Sequence, residues 1–267
     1  MRYTNFYPSS GLYHISLPLL MGTRLDVLLF GDNRQQLEAV WDSTEKELRR
    51  IEKMLNRFDS ESEVSKVNSD AHFSSVQLSD ELWTIVCDCH RYYELTDGCF
   101  DITLSDFGKV IMTEESHSVA FDKYGLLFDF GGYAKGYALR YIRQHLNDAG
   151  VERALVNFGN SSVLALGAHP FGDNWPIGIE DPYTGDAMMT INLCNTSLSV
   201  SGNTPSHKQH IVNKETSGLV AGDIMVAVVC DDPVDAEVLT TGWVASGKDD
   251  IPDWVEKFNL KNIYKIK

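Results

Sequence analysis

A glycine-rich segment at residues 129–136 is the first candidate for chemistry. It reads DFGGYAKG and lies between a short apolar run and a helical pattern. The turn before a helix leaves backbone N–H groups unpaired and presents the positive end of the helix dipole, which suits a phosphate. Lys135 falls in the first helical turn, where the dipole disfavours a cation, so a contact with an anionic ligand is indicated. The segment matches neither the Walker A nor the dinucleotide-binding motif. By itself it is interpreted more simply as a tight turn that needs glycine.

Two histidines in a polar segment are the second candidate. Residues 206–213 read SHKQHIVN, with a proline just before them. His207 and His210 could bind one zinc ion if they lay on the same face of a helix, but the polar surroundings do not predict a helix. No third ligand follows at the spacing of a zinc site. A single histidine acting as a general base is equally consistent, because histidine titrates near neutral pH. The simplest interpretation of the segment alone is a loop histidine that bonds to backbone.

A carboxylate and a hydroxyl one helical turn apart are the third candidate. Residues 231–241 read DDPVDAEVLTT, a pattern typical of a capped helix start. Glu237 and Thr241 are four residues apart and therefore share a helix face. Such oxygen ligands suit a hard cation such as Mg²⁺. Ordinary surface acids at a helix start are the simpler interpretation of this segment alone.

The elements that must position these residues follow from the hydrophobic pattern. Apolar residues at three- and four-residue spacing predict helices, and short or alternating apolar runs predict strands. The helices predicted in this way are at residues 34–57 (with Asn33 as the N-cap), 79–95, 133–149 and 233–245. The predicted strands are at residues 24–30, 126–130, 154–158, 163–166, 176–180, 188–194, 198–201 and 224–230, with a polar loop at 58–68. Strand 126–130, the glycine turn and the next helix and strand predict a βαβ-like unit within a mixed α/β fold that has one continuous core.

Composition narrows the class of protein. The 267 residues include 23 Lys and Arg against 38 Asp and Glu, and the net charge of −15 argues against nucleic-acid binding. A hydrophobic fraction of 43% is enough for a sizeable core, and five cysteines without CxxC spacing predict free thiols. The apolar run at residues 15–21 is too short and broken for a signal peptide or a membrane span. We expect a soluble protein without a lipidation site, whose compartment stays open.

Seven short segments, in colinear order over about residues 20–247, together resemble the ApbE-type FAD:protein FMN transferases. They are the segments at residues 21–23 (MGT), 58–68 (FDSESEVSKVN), 98–103 (GCFDIT), 129–136 (DFGGYAKG), 201–203 (SGN), 210–213 (HIVN) and 236–241 (AEVLTT). The resemblance implies a mixed α/β fold of two merged lobes around a nucleotide cleft. It also implies an N-terminal extension at residues 1–20 and a single flavin transferase domain at residues 21–267.

The resemblance implies an activity as well. Members of that family cleave FAD at its pyrophosphate with the help of Mg²⁺. They attach the FMN half to a Ser or Thr hydroxyl of a target flavoprotein and release AMP. The expected partners are therefore FAD as the substrate and an acceptor flavoprotein, with no nucleic acid and no membrane span.

Individual residues receive roles from the same resemblance. His210 is implied as the general base. The residues implied to contact the nucleotide are Met21, Phe58, Cys99, Phe100, Asp101, Asp129, Lys135 and Ile211, with Lys135 near the phosphates. The residues implied to hold the metal are Gly132 through its carbonyl, Glu237 and Thr241, with Thr240 nearby.

Several positions depart from the family pattern. Glu237 stands where the family usually has Asp, and the extra methylene moves the carboxylate oxygens by about 1.5 Å, although Mg²⁺ demands near-ideal geometry. Asn203 and Asn213 replace two further Asp residues. These losses leave two alternatives open: a catalytically impaired FAD-binding protein, and an FAD pyrophosphatase that gives FMN and AMP. The acceptor protein and the oligomeric state also stay open.

Overall fold

Strands and helices alternate irregularly along the chain. The computed structural model describes residues 2–203, 211–214, 216, 218–220 and 223–267. In these ranges the elements, in chain order, are β1 (Tyr3–Tyr7), β2 (Leu12–Leu20), β3 (Thr23–Phe30), α1 (Arg34–Leu55), α2 (Glu63–Asp70), β4 (Val76–Gln77), α3 (Asp80–Leu95), β5 (Val110–Thr113), β6 (Ser118–Phe121), α4 (Ala134–Asp148), β7 (Arg153–Phe158), β8 (Ser162–Leu166), β9 (Trp175–Glu180), β10 (Ala187–Leu193), β11 (Ser197–Gly202), β12 (Met225–Cys230), α5 (Pro233–Ser246) and β13 (Leu260–Lys265). Short 3-10 turns lie at Phe107–Lys109, Glu114–Ser116 and Asp253–Lys257.

The largest sheet has eight strands in the order β1-β2-β3-β7-β8-β11-β12-β13. Every neighbouring pair in it is antiparallel. Strand β12 is buried at every position, because both faces of the sheet are covered there. Its Val226 and Val228 pack in the apolar cluster that contains α5, whereas Ala227 and Val229 pack with the β9–β10 hairpin. This two-sided burial explains why the strand is uniformly apolar rather than alternating.

Helices α1, α4 and α5 cover one face of the large sheet. Trp41 of α1 and Ile142 of α4 lie in one apolar cluster with residues of β2, β3, β7 and β8. Helices α2 and α3 and the small sheet β4-β6-β5 form a second cluster, together with the end of α1 and parts of α5. Met21 and Tyr141 pack against both clusters, so the two are continuous. The mixed α/β class expected from the sequence is confirmed.

A polar network fixes α3, α4 and α5 to one another. The Tyr133 hydroxyl, just before α4, donates to Asp88 of α3 at 2.7 Å, and the Tyr92 hydroxyl of α3 donates to Asp235 of α5 at 2.6 Å. Arg140 of α4 lies 3.3 Å from the Asp88 carboxylate. Burial, reinforced by the nearby carboxylates, raises the pKa of both tyrosine hydroxyls well above the usual value, so they stay protonated as donors.

Most predicted elements are present, with shifted ends. Asn33 is the N-cap of α1, as predicted, and Ser79, at the start of the second predicted helix, is the N-cap of α3. Each side chain accepts a backbone N–H of the first turn. The polar loop predicted at residues 58–68 is partly wrong, because α2 begins at Glu63. Ser62 caps that helix, and its two buried valines, Val64 and Val67, face the core. Eight residues with only two apolar positions carry too weak a periodicity to be recognised as a helix.

The strand predicted at residues 126–130 is not formed, and the βαβ-like unit built on it is therefore wrong. The segment has no regular secondary structure and is mostly buried, and its backbone is held by single contacts instead of a ladder. The Asn68 side chain bonds both the N–H and the C=O of Phe128, and the Asp129 N–H donates to the Ile102 carbonyl. A buried apolar run predicts burial correctly, but it does not predict a pairing partner.

The crossing of α4 over α5 depends on Gly136. A Cβ added at this position would lie 2.8 Å from the Pro233 carbonyl oxygen and 2.9 Å from the Val234 Cα, both of which are backbone atoms. It would also lie 3.0 Å from the Cγ of Glu237. Backbone cannot yield as a flexible side chain does, so α5 approaches α4 this closely only because residue 136 lacks a side chain.

We predict that Gly136→Ala lowers the free energy of unfolding by about 1–3 kcal/mol, because overpacking outweighs the better helix propensity of Ala. Urea denaturation measures the change. Gly178→Ala in β9 is the control, since a Cβ there meets no atom within 4 Å, and we expect it to shift stability by less than about 0.5 kcal/mol. A Gly136→Ala variant as stable as the parent protein would contradict this account of the crossing.

Candidate active site

The glycine turn before α4 packs directly onto α5. A Cβ added at Gly132 would lie 2.9 Å from the Cγ2 and 3.2 Å from the Oγ1 of Thr241. Glu237 lies one turn earlier on α5, below Gly136 of α4. The two segments singled out independently in the sequence, the phosphate-type turn and the carboxylate–hydroxyl pair, are therefore in contact.

The Glu237 carboxylate is the buried charge at this contact. The residue is 2% exposed, and it forms an ion pair with Lys135, whose Nζ lies 2.9 Å from Oε1 and 3.2 Å from Oε2. The buried Ser162 hydroxyl of β8 donates to the same Oε1. An ionised carboxylate is buried at tolerable cost only when it is paired and hydrogen-bonded, and both conditions are met here. Lys135, expected from sequence to contact an anion, contacts this protein carboxylate.

The two neighbouring threonines of α5 face different surroundings. Thr240 is fully buried, and its hydroxyl lies 3.0 Å from the Ser199 hydroxyl and 2.9 Å from the Ser201 hydroxyl of β11. It also donates to the Ala236 carbonyl within α5. Thr241 is half-buried and lies against Gly132. Thr240 therefore joins α5 to the sheet, whereas Thr241 joins it to the glycine turn.

Asp129 opens the glycine turn and lies beside an exposed aromatic ring. Its Oδ1 accepts the Gly131 N–H at 2.8 Å, and its Oδ2 lies 2.6 Å from the Nε of Arg57. The Arg57 guanidinium is 4.3 Å from the centroid of the Phe58 ring, which is 81% exposed. A guanidinium and an open aromatic face can both stack on a planar ring system, so this corner suits a flat ligand.

Met21 is held in a strained backbone conformation. Its φ of +48° lies in the left-handed region, which costs a residue other than glycine about 1 kcal/mol or more. The Met21 N–H donates to the Glu52 carboxylate of α1 at 2.6 Å, and this bond fixes the turn. Strain of this kind persists where the surroundings demand it and is common at ligand sites.

The Asp101 carboxylate stabilises the turn in which it lies. Its carboxylate accepts the N–H and hydroxyl of Thr103 and the N–H of Phe107. Burial raises the pKa of Asp101, and these donors partly oppose that effect. The bonds hold the chain between α3 and β5 in the shape that places Ile102 beside Asp129.

Cys99, Phe100 and Ile211 gather around the second half of α5. A Cβ added at Gly242 would lie 3.5 Å from the Phe100 backbone nitrogen, and Phe100 itself is buried. Ile211 is buried in the cluster against which Cys99 packs. Burial raises the pKa of the Cys99 thiol, which lines a cavity of about 130 Å³ beside Lys214. His210, the general base implied by the resemblance, lies outside the described residues.

The ApbE family model matches residues 21–117 and 104–264 of this chain. This chain belongs to the ApbE family. Among curated relatives, an FAD:protein FMN transferase of Klebsiella pneumoniae is 28% identical over 171 residues, which cover 60% of this chain and 52% of that protein. The FAD:protein FMN transferase of Chlamydia muridarum is 21% identical over 252 residues, which cover 79% of this chain and 77% of that protein. The match thus spans about half of the first relative and about three quarters of the second.

Solved structures share the fold. The ApbE protein of Thermotoga maritima superposes with a TM-score of 0.78 at 22% identity, over 89% of this chain and 88% of that one. The flavin transferase ApbE of Vibrio cholerae gives a TM-score of 0.75 at 18% identity, over 88% and 87%. At these identities the likeness establishes the ApbE fold alone. No helix in the described part of this chain is long and apolar enough to cross a membrane.

Sequence reasoning missed Arg57 and Ser162. Arg57 directly precedes Phe58, but nothing in its spacing shows that it pairs with the distant carboxylate of Asp129. Ser162 lies at the start of a wholly buried strand, and a buried polar residue there was the available signal that something needs a hydroxyl. Both contacts come from tertiary packing.

The donor set beside Gly132 fits a hard cation. Across the described ranges, no three His, Cys, Asp or Glu side chains converge, so an ion there would rely on one carboxylate with hydroxyl and carbonyl oxygens. Glu237 would supply the carboxylate, Thr241, which lies against Gly132, would supply the hydroxyl, and Gly132 would supply the carbonyl. The buried carboxylate already holds a cationic group, the Lys135 ammonium, and all these donors are the oxygens that Mg²⁺ prefers.

The two threonines provide a matched test of this division. We predict that Thr240→Val lowers the free energy of unfolding by about 1–3 kcal/mol, because two serine hydroxyls of β11 lose their partner, but leaves Mn²⁺ affinity unchanged. Thr241→Val should cost less stability and weaken Mn²⁺ binding about tenfold, a loss of about 1.4 kcal/mol. Urea denaturation and calorimetric titration measure the two effects. The reverse pattern would show that Thr240 is the ligand.

Proposed function

We propose that this chain is an Mg²⁺-dependent FAD:protein FMN transferase. The observation that carries the proposal is the buried Glu237 carboxylate paired with Lys135, one helical turn before Thr241, which lies against Gly132 of the glycine turn. Membership of the ApbE family and the names of the curated relatives support it. The substrate is FAD, and the second substrate is a flavoprotein with a Ser or Thr acceptor hydroxyl.

The proposed reaction exchanges the phosphoanhydride bond of FAD for a phosphate ester bond to the acceptor. The acceptor hydroxyl oxygen forms a bond to the phosphorus of the FMN half, and the P–O bond of the pyrophosphate breaks. The hydroxyl proton passes to a base, and AMP leaves with the bonding electron pair. Positioning and electrostatic stabilisation carry most of the catalysis in such a transfer.

The described residues divide this work between them. Phe58 and Arg57 offer surfaces on which a flat ring system of the substrate can stack, and Asp129 holds Arg57 in place. The N-terminus of α4 and Lys135 provide the positive field for the pyrophosphate. Met21, Cys99, Phe100, Asp101 and Ile211 are proposed to shape the cleft around the nucleotide. His210 is proposed as the base that takes the acceptor proton.

The metal would be held by Glu237, Thr241 and the Gly132 carbonyl, with Thr240 anchoring the helix behind them. Bound Mg²⁺ supplies Lewis-acid neutralisation of the charge that develops on the phosphates. Glu237 is longer than the Asp usual in the family, but the Ser162 hydroxyl donates to its Oε1 and thereby fixes where the longer side chain ends.

The direct test incubates the purified chain with FAD, with and without Mg²⁺ and with and without an acceptor flavoprotein. Chromatography follows AMP and FMN, and in-gel fluorescence follows covalent flavin. We expect AMP only when Mg²⁺ and the acceptor are both present, together with flavin on the acceptor. AMP with free FMN, independent of the acceptor, would make the chain a pyrophosphatase. Bound but intact FAD would make it a binding protein.

Substitution of Glu237 tests the metal assignment. We predict that Glu237→Gln, which keeps the shape of the side chain, lowers metal-dependent turnover by at least about a hundredfold. Glu237→Ala should abolish it, and Glu237→Asp should preserve or raise it. Glu256→Ala, at an exposed position near the C-terminus, is the control and should keep full turnover. Unchanged turnover in Glu237→Ala would exclude this carboxylate as the metal ligand.

A further inference from the structure

The Lys135 ammonium lies where its own helix disfavours it. It is in the first turn of α4, at the positive end of the helix dipole, and no side chain caps that end. Its side chain is only 20% exposed. Glu237 compensates for the unfavourable interaction with the helix dipole, because both of its carboxylate oxygens lie within 3.2 Å of the ammonium. The lysine is therefore held by the carboxylate and not by its place in the helix.

A cation at Glu237 and the ammonium need the same atoms. The carboxylate has two oxygens, and Ser162 already takes one position on Oε1. The ammonium spans Oε1 and Oε2, and it therefore contacts both of the oxygens that a divalent cation at this carboxylate would use. Two positive charges on one buried carboxylate would also repel each other strongly. Occupation by one cation therefore excludes the other.

We infer that Lys135 is an exchangeable counter-ion, which neutralises Glu237 until a divalent cation replaces it and then turns to the pyrophosphate of the substrate. The inference rests on the proposed function for the second half of the exchange, but its first half concerns the cation alone. Charge is balanced in both states. Before exchange, Lys135 cancels Glu237. After exchange, two net positive charges remain on the divalent cation, Lys135 and Glu237 taken together. They balance the two negative charges of the FAD pyrophosphate, one on each phosphate.

The exchange couples the two ligands. A divalent cation must displace Lys135 from Glu237, which weakens cation binding when no nucleotide is present. A pyrophosphate gives the released ammonium a new partner, so it strengthens cation binding, and by linkage the cation strengthens nucleotide binding by the same factor. Lys135 thereby favours cation and nucleotide binding together and opposes either one alone.

The test is a titration with Mn²⁺ alone, followed by the paramagnetic resonance signal of the free ion. We expect Lys135→Gln to bind Mn²⁺ about tenfold more tightly than the parent chain, because the competing charge is gone. Lys135→Arg, which keeps the charge, should bind within about threefold of the parent. Lys46→Gln, an exposed lysine of α1, controls for the change in net charge and should shift affinity less than twofold. Thermal melting followed by circular dichroism confirms that each variant is folded.

The nucleotide half is tested by quenching of flavin fluorescence on FAD binding, with and without Mn²⁺. Mn²⁺ should increase the affinity of the parent chain for FAD. In Lys135→Gln, the factor by which Mn²⁺ increases this affinity should be at least fivefold smaller. Equal or weaker Mn²⁺ affinity in Lys135→Gln would overturn the exchange while leaving the proposed transferase intact. Absence of Mn²⁺ binding in both the parent chain and Lys135→Gln would overturn the metal site and the exchange together.

Discussion

The Glu237 carboxylate has to be buried beside a helix N-terminus, and the surrounding structure depends on that constraint. A charge that is 2% exposed needs positive and hydrogen-bonding partners, which Lys135 and Ser162 provide from two different elements. Helix α4, which carries Lys135, comes this close to α5 only because Gly132 and Gly136 leave no Cβ between them. The glycines that first suggested a phosphate turn thus also serve helix packing.

The rest of the helical layer keeps this arrangement fixed. Tyr133 and Arg140 bind the carboxylate of Asp88 on α3, so the beginning and middle of α4 are anchored to α3. Thr240 anchors α5 to the serines of β11 in the large sheet. A site built between two helices that are each anchored on a third element can hold its charged groups with little rearrangement.

Local sequence patterns predicted the helices and strands that are determined by interactions between residues close in sequence. Strong amphipathic periodicity located α1 and α3, Asn33 marked the start of α1 as its cap, and apolar runs located the central strands. Helix α2 was missed because only Val64 and Val67 mark its buried face, and residues 126–130 were assigned a ladder that they do not form. Colinear motifs brought Lys135, Glu237 and Thr241 to one site, but the pairing of Lys135 with Glu237 depends on the helix crossing.

One measurement tests the central claim most directly: a crystal structure of the full chain with ADP and Mn²⁺, using the anomalous signal of manganese to locate the ion. The account predicts a peak within coordination distance of the Glu237 carboxylate and the Thr241 hydroxyl. It also predicts that the Lys135 ammonium has left Glu237 for a phosphate oxygen. A manganese peak elsewhere, or Lys135 still bridging both Glu237 oxygens in the complex, would contradict it.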